Sequence, residues 1–227
     1  MTSLNENIRS LMVANGKRFW AGDNVSEYVD EEDLKSLIDE AEEAFEGVLD
    51  CLLIDRENDP NSKGTARRLA KMYFYEIMQG RYQPAPDATS FPNDSSDRYS
   101  GMLVVRSELK SICSHHHQPV SGVAYIGIIP GQKVIGLSKY TRIAQWCARR
   151  GTLQEELCND IAREIMKATD SEDVAVYIAA NHGCCENRGI SAHNSTTQTT
   201  VLKGQFKRDD VKIEFFDSIK LQEMNKR

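Results

Sequence analysis

Cysteine and histidine are concentrated in two short segments, Cys113-Ser114-His115-His116-His117 and His182-Gly183-Cys184-Cys185, and any fold for this chain must account for that pairing. Four of the five histidines lie in them. Thiolates and imidazoles drawn from two separated segments suit a borderline-soft cation such as Zn²⁺, which takes four N or S ligands in a tetrahedron. A metal site is therefore the first hypothesis, and it obliges the fold to bring distant segments together.

The rest of the chain can supply such a fold. Hydrophobic residues at 40% and charged residues at 27% match ordinary globular usage, so a core can be buried. At 227 residues the chain is one large domain or a domain with an appendage. The start, Met1-Thr2-Ser3-Leu4-Asn5-Glu6, has no basic segment leading into an apolar run, and no long apolar stretch occurs, so neither export nor a membrane span is expected. The cytoplasm is the default, and there six cysteines read as reduced core residues or metal ligands rather than a disulfide framework. A net charge of −6 argues against non-specific nucleic-acid binding, which depends on neutralising phosphates. A small anion would instead be held by local cationic clusters.

Residues 1–29 are polar and mixed around Phe19 and Trp20, and read as a loosely ordered extension. Leu34, Leu37, Ile38, Ala41, Phe45, Val48 and Leu52 then recur at helical spacing, with Asp39, Glu40, Glu42, Glu43 and Glu46 on the other face. Cys51, in the apolar end of that helix, reads as a buried thiol. After the break at Asp59-Pro60-Asn61-Ser62-Lys63-Gly64, Thr65 is expected to cap a second helix running to Gly80. The prolines 84, 86 and 92 mark a long surface loop from Arg81 to Gly101.

Beyond Gly101 the pattern changes to β. Met102–Val105 leads towards Cys113, and Val123–Ile129 is a second run, followed by Val134-Ile135. A helix is expected from Ser138 and another from Thr152, where Thr152 and Glu155 have capping-box spacing. Leu157, Cys158, Ile161, Ala162, Ile165 and Ala168 give the latter an apolar stripe, with Cys147 and Cys158 as packing residues rather than ligands. Val174–Ala180 reads as a buried strand running into His182, and Thr196–Leu202 and Val211–Phe215 as further strands, for a β-β-α-α-β-β order. The charged tail from Lys220 is expected to fray.

Cys113 and His116 have a C-x-x-H spacing that is weak by itself and gains weight from the second cluster. With Cys184 as a third ligand, one position of the tetrahedron stays open for water, as in catalytic zinc sites. Were Cys185 or His117 to bind as well, the site would close and be structural. In an open site, zinc can lower the pKa of its water from about 15.7 to roughly 7. Two thiolates weaken that effect, so acid–base groups gain importance, and His115 and His182, each beside a proposed ligand, are the candidates. A second constellation is cationic: Ser138, Lys139 and Arg142 at a helix start, whose free N–H groups favour anions, with Arg188, Arg68 and Lys71 elsewhere. It reads as a phosphate site or as solvated helix faces.

Taken together, Cys113-Ser-His-His-His-Gln-Pro119, Gly136-Leu-Ser-Lys139 with Arg142, Arg149-Arg150, Gln154-Glu155, Ala180-Asn-His-Gly-Cys184 with Arg188-Gly189, and Asn194-Ser195 before the Thr-rich run resemble GTP cyclohydrolase I, from about Asp59 to Phe206. The resemblance implies an α+β tunnelling fold, in which an antiparallel sheet backed by two long antiparallel helices assembles with its copies into a barrel. It implies a homo-oligomer, commonly a decamer, with intersubunit active sites, GTP as substrate and Zn²⁺ as cofactor. By the same resemblance Cys113, His116 and Cys184 hold zinc, and His115 and His182 transfer protons. Ser138, Lys139, Arg142 and Arg188, with Arg68 and Lys71, bind the triphosphate, while Gln154 and Glu155 face the guanine. The expected reaction opens the guanine imidazole ring, releases formate and yields 7,8-dihydroneopterin triphosphate, a precursor common to folate, tetrahydropterin and deazaguanine synthesis.

The implied division is an extension over 1–29, a helical region with a loop over 30–98, a catalytic domain over 99–217 and a tail over 218–227. Ser114 stands where the family usually has Glu, His117 where it has Leu and Ala66 where it has Pro, and Ser114 and His117 can retune the site or admit another ligand. Two alternatives stay open. One is another tunnelling-fold enzyme, a pterin synthase with a three-histidine zinc site or a deazapurine nitrile reductase with a nucleophilic Cys and NADPH. The other is a non-catalytic nucleotide-binding zinc protein.

Overall fold

In the computed structural model, which describes residues 3–94 and 98–224, the chain forms two compact units, 1–84 and 85–227. The second is organised by a long hairpin. Strand β2 (Leu103–Ile112) and strand β3 (Pro119–Ile128) pair antiparallel through ten positions, from Leu103 opposite Ile128 to Ile112 opposite Pro119. Strand β5 (Val174–His182) pairs antiparallel with β3, and β6 (Thr197–Leu202) with β5, in the order β2-β3-β5-β6. The short strands β1 (Ser90–Pro92) and β4 (Lys133–Ile135) form a separate antiparallel pair, so the expected loop from Arg81 to Gly101 contains a strand.

Helices cover both faces of the sheet. Helix α5 (Leu137–Ala148) and helix α6 (Gln154–Thr169) cover one, where Ile143, Ala144 and Cys147 and Leu157, Cys158, Ile161 and Ile165 meet Ala124, Ile126, Ile128, Val174, Val176 and Ile178. Cys147 and Cys158 are buried packing residues, as expected. The alternate positions Tyr125 and Ala175 point to the other face, against Phe206, Phe215 and Ile219. Because both faces are covered, Val174–Ala180 is continuously apolar instead of alternating.

The second cover is helix α8 (Asp209–Met224), which corrects two expectations. Val211–Phe215 is helical rather than a strand: five alternating residues fit either period, and Val211, Phe215 and Ile219, four apart, line the face that packs. Burying each of these side chains contributes roughly 1.5–3 kcal/mol. Lys220–Met224 continues the helix where fraying was expected, while residues 225–227 lie outside the described residues. Helix α6 begins at Gln154 with Leu153 as N-cap; Thr152 donates to Glu156 (2.7 Å) rather than forming a capping box with Glu155. Helix α5 starts at Leu137, one residue before the expected Ser138, with Gly136 as N-cap.

In the first unit, α1 (Leu4–Ala14) carries a capping box between Ser3 and Glu6, so this segment is helical where a loose extension was expected. Glu40 of α2 (Glu31–Cys51) accepts from the Leu4 backbone N–H (2.7 Å) and the Asn5 side chain (2.6 Å), tying α1 to α2. Asp30 and Asp33 cap α2. Helix α3 (Thr65–Met72) is capped by Gly64 in the left-handed region rather than by Thr65, and it gives way to a π-helical turn, Tyr73–Ile77, and the short α4 (Gln79–Tyr82) instead of running unbroken to Gly80. Cys51 is exposed, contrary to expectation, because it lies at an exposed end of α2, where Val48, Leu52 and Leu53 are exposed as well. No described helix is long and apolar enough to cross a membrane.

Candidate metal centre

Strand register assembles the centre. Cys113 directly follows the last residue of β2, and the loop to β3 is closed by the Cys113 N–H donating to the Gln118 carbonyl (3.0 Å) and the His117 N–H to the Cys113 carbonyl (2.9 Å). His117 adopts φ +50°, a conformation that histidine tolerates better than most side chains. His182 is the last residue of β5 and stands opposite Val120 at the start of β3, at the same end of the sheet. The short helix α7 (Gly183–Glu186) then turns the chain back and presents Cys184. A Cβ at Gly183 would lie 3.1 Å from the Pro119 carbonyl, so glycine lets α7 seat tightly on β3.

One side-chain donor atom each from Cys113, His182 and Cys184 lies within 4.8 Å of the others. Around a tetrahedral zinc, with bonds of about 2.0–2.3 Å, donor atoms stand roughly 3.5 Å apart, so a small contraction suffices. Cys113 is buried, and the other two are half-buried. Burial, followed by the neighbouring Cys113 thiol, pushes the Cys184 thiol up to about 11. Crowding two thiols is unfavourable for thiolates alone and favourable around a dication, which suits this donor set to zinc. The Cys185 sulfur is 4.0 Å from that of Cys184.

Burial lowers the pKa of His182, opposed by Glu155 and Glu186, so its imidazole is neutral at neutral pH. Its Nε2 is 2.7 Å from Gln154 Oε1. The Gln154 amide nitrogen contacts the Ile178 carbonyl (3.3 Å), the Thr197 carbonyl (3.1 Å) and Thr199 Oγ1 (3.1 Å). Gln154 is 3% exposed.

The other expected residues distribute as follows. His116 is exposed and its Nε2 meets an Arg188 guanidinium nitrogen at 2.9 Å, so the thiols are grouped with His182 instead of the expected His116. His115 is exposed, edge-on to His116 at 6.3 Å between ring centroids. Ser138 and Arg142 are exposed and Lys139 half-buried on the first turns of α5, whose N-terminus has neither a side-chain cap nor an acidic residue. Glu155 is exposed on the first turn of α6. Arg68 and Lys71 lie on α3 in the first unit; the Arg68 guanidinium donates to the Asn61 and Lys63 carbonyls and to Thr65 Oγ1. Sequence reasoning missed Thr199 and the contact between Gln154 and His182. The only signal for them was the neighbourhood of the Thr-rich strand to the His182 strand.

Comparison with known proteins shows the family. Residues 41–220 match the GTP cyclohydrolase I family. A GTP cyclohydrolase 1 of Flavobacterium johnsoniae is 40% identical over 187 residues, covering 81% of this chain and 82% of that protein. Those of Pseudoalteromonas translucida and Campylobacter jejuni are 35% and 37% identical, covering 80% and 77% of this chain and 98% and 94% of theirs. The matched span includes Cys113, His182 and Cys184, and the chain belongs to the GTP cyclohydrolase I family.

Proposed function

We propose that this chain is a zinc-dependent GTP cyclohydrolase I, opening the imidazole ring of GTP, releasing C8 as formate and rearranging the remainder to 7,8-dihydroneopterin triphosphate. The observation that carries the reading is the convergence of Cys113, His182 and Cys184 at one end of the sheet in a member of this family. Zinc held there supplies Lewis-acid activation of water at neutral pH. Cys113 and Cys184 anchor it, and His116, on the same turn as Cys113, is the third ligand. His182, neutral beside the sulfurs, and His115 transfer protons around the purine and the ribose. Ser138, Lys139, Arg142 and Arg188 hold the triphosphate, the uncapped N-terminus of α5 adding backbone donors. Glu155 accepts from N1–H and the 2-amino group of guanine.

The sheet, with two helices on one face and no further strand on β2 or β6 among the described residues, suits a tunnelling-fold barrel closed by copies of the chain. A homo-oligomer, commonly a decamer in this family, is part of the reading, and sedimentation analysis tests it.

A second ligand set is favoured by one observation, the grouping of His182 rather than His116 with the thiols. Zinc content separates the two. Under the first set His182→Ala keeps zinc and loses turnover, whereas under the second it loses both. The decisive assay is formate release and pterin fluorescence from GTP; absence of turnover in fully zinc-loaded protein rejects the cyclohydrolase reading.

A further inference from the structure

We propose that Gln154 is a positioning residue for His182: its amide selects the imidazole tautomer, placing the proton on Nε2 and leaving Nδ1 with its lone pair. The kinetic consequence rests on the cyclohydrolase reading, whereas the tautomer itself does not.

The two ends of the Gln154 amide cannot be exchanged. One end contacts the Ile178 and Thr197 carbonyls and Thr199 Oγ1. Carbonyl oxygens only accept, so that end is the NH₂ group. A flipped amide would set its oxygen against two carbonyl oxygens and forfeit both bonds. The oxygen therefore faces His182, 2.7 Å from Nε2. An amide oxygen also only accepts, so Nε2 is the protonated nitrogen. A neutral imidazole carries one N–H, which leaves Nδ1 as the acceptor.

The anchors are rigid. Ile178 stands opposite Thr199 in the β5–β6 ladder, and Thr197 opposite Ala180, so the acceptors for the NH₂ group belong to adjoining strands of the sheet. Gln154 is the first residue of α6 and is almost fully buried, so helix and sheet together fix its side chain. A glutamine reading a purine through its NH₂ group would need free amide donors. Here both N–H groups are already engaged within the chain. This geometry separates Gln154 from its neighbour Glu155, which is exposed and free to read the base.

Solid-state ¹⁵N NMR of zinc-loaded protein labelled at the histidine rings, with His182→Asn to assign the resonances, tests the inference. The expected wild-type result is a protonated Nε2 and an unprotonated Nδ1 at His182. In Gln154→Leu the signature becomes mixed or inverted and kcat falls about 10–100-fold, the usual cost of losing such a partner. KM for GTP and the preference for GTP over ITP, which lacks the 2-amino group, stay as in wild type. A proton on Nδ1 in the wild type overturns the proposal. So does a Gln154→Leu protein with an unchanged tautomer, raised KM and lost discrimination against ITP, which would make Gln154 a guanine reader. The wild-type measurement needs no variant, so the test survives if Gln154→Leu does not fold. Should wild-type protein fail to turn over GTP, the cyclohydrolase reading falls and the tautomer result stands.

Discussion

His116 Nε2 and a guanidinium nitrogen of Arg188 stand 2.9 Å apart. A guanidinium only donates, so Nε2 is the acceptor, and it offers Arg188 the same lone pair that a metal ion would need. Arg188 in turn commits a donor that a phosphate oxygen would need. Zinc and triphosphate together would therefore dissolve the pair, giving each partner a more strongly charged one.

Arg188→Ala is accordingly expected to weaken GTP binding without weakening zinc binding. One lost charge-assisted contact costs about 1.5–3 kcal/mol, or roughly a 10–100-fold rise in KM. Zinc content after dialysis should equal or exceed that of wild type, because His116 loses its competing partner. Steady-state kinetics and metal analysis on the same preparation check this, and a variant depleted of zinc would contradict it.

Zinc uptake should release protons. The Cys184 thiol is held up to about 11 without metal, so it is protonated at neutral pH and must surrender its proton on ligation. Each proton released steepens the affinity by about tenfold per pH unit. Calorimetric titration at neutral pH in buffers of different ionisation enthalpy reads the proton count, and a heat independent of buffer would be inconsistent with thiol ligation.

Activity should persist further into acid than an unshifted histidine allows. Burial favours the neutral form of His182, placing its folded pKa below the ordinary 6.5. Between the two values the unfolded chain binds the extra proton, so the stability linked to this group is complete above about 6.5 and is lost as pH falls through the folded value. The acidic limb of kcat/KM, which reports the free enzyme, should then lie below 6.5. A limb at or above 6.5 would remove His182 as the base.

The sheet was legible because its strands are strongly apolar: β3 and β5 lie where Val123–Ile129 and Val174–Ala180 are expected, although β2 extends well beyond Val105. Helix α8 was not, since Val211–Phe215 satisfies both periods and only Phe215 and Ile219 against the sheet decide. At α1 the signal was present, as Ser3 and Glu6 have capping-box spacing, but the apolar run behind them is short. Both cysteines of the centre were legible from spacing. Which imidazole accompanies them was not, because spacing carries no side-chain direction and the place of His182 depends on the β3–β5 register. The Gln154 contact needs α6, β5 and β6 in place at once, and no local pattern encodes that.

That register gives the final prediction. Gly122 pairs with Ala180, two positions from the Val120–His182 pair, and an added Cβ would lie 2.2 Å from the Ala179 carbonyl oxygen and 2.6 Å from the Ala180 Cα. Both neighbours are backbone, so no side chain can yield and the strands must part. Overpacking of this kind costs about 1–3 kcal/mol, and a backbone clash sits at the upper end. Gly122→Ala is therefore expected to lower the midpoint of thermal unfolding and to displace His182 from the two sulfurs, reducing kcat more than KM. Thermal unfolding read alongside kinetics well below the transition separates the two effects. Full activity in a variant of unchanged stability would mean that the close approach of β3 and β5 at Gly122 does not govern the placement of His182.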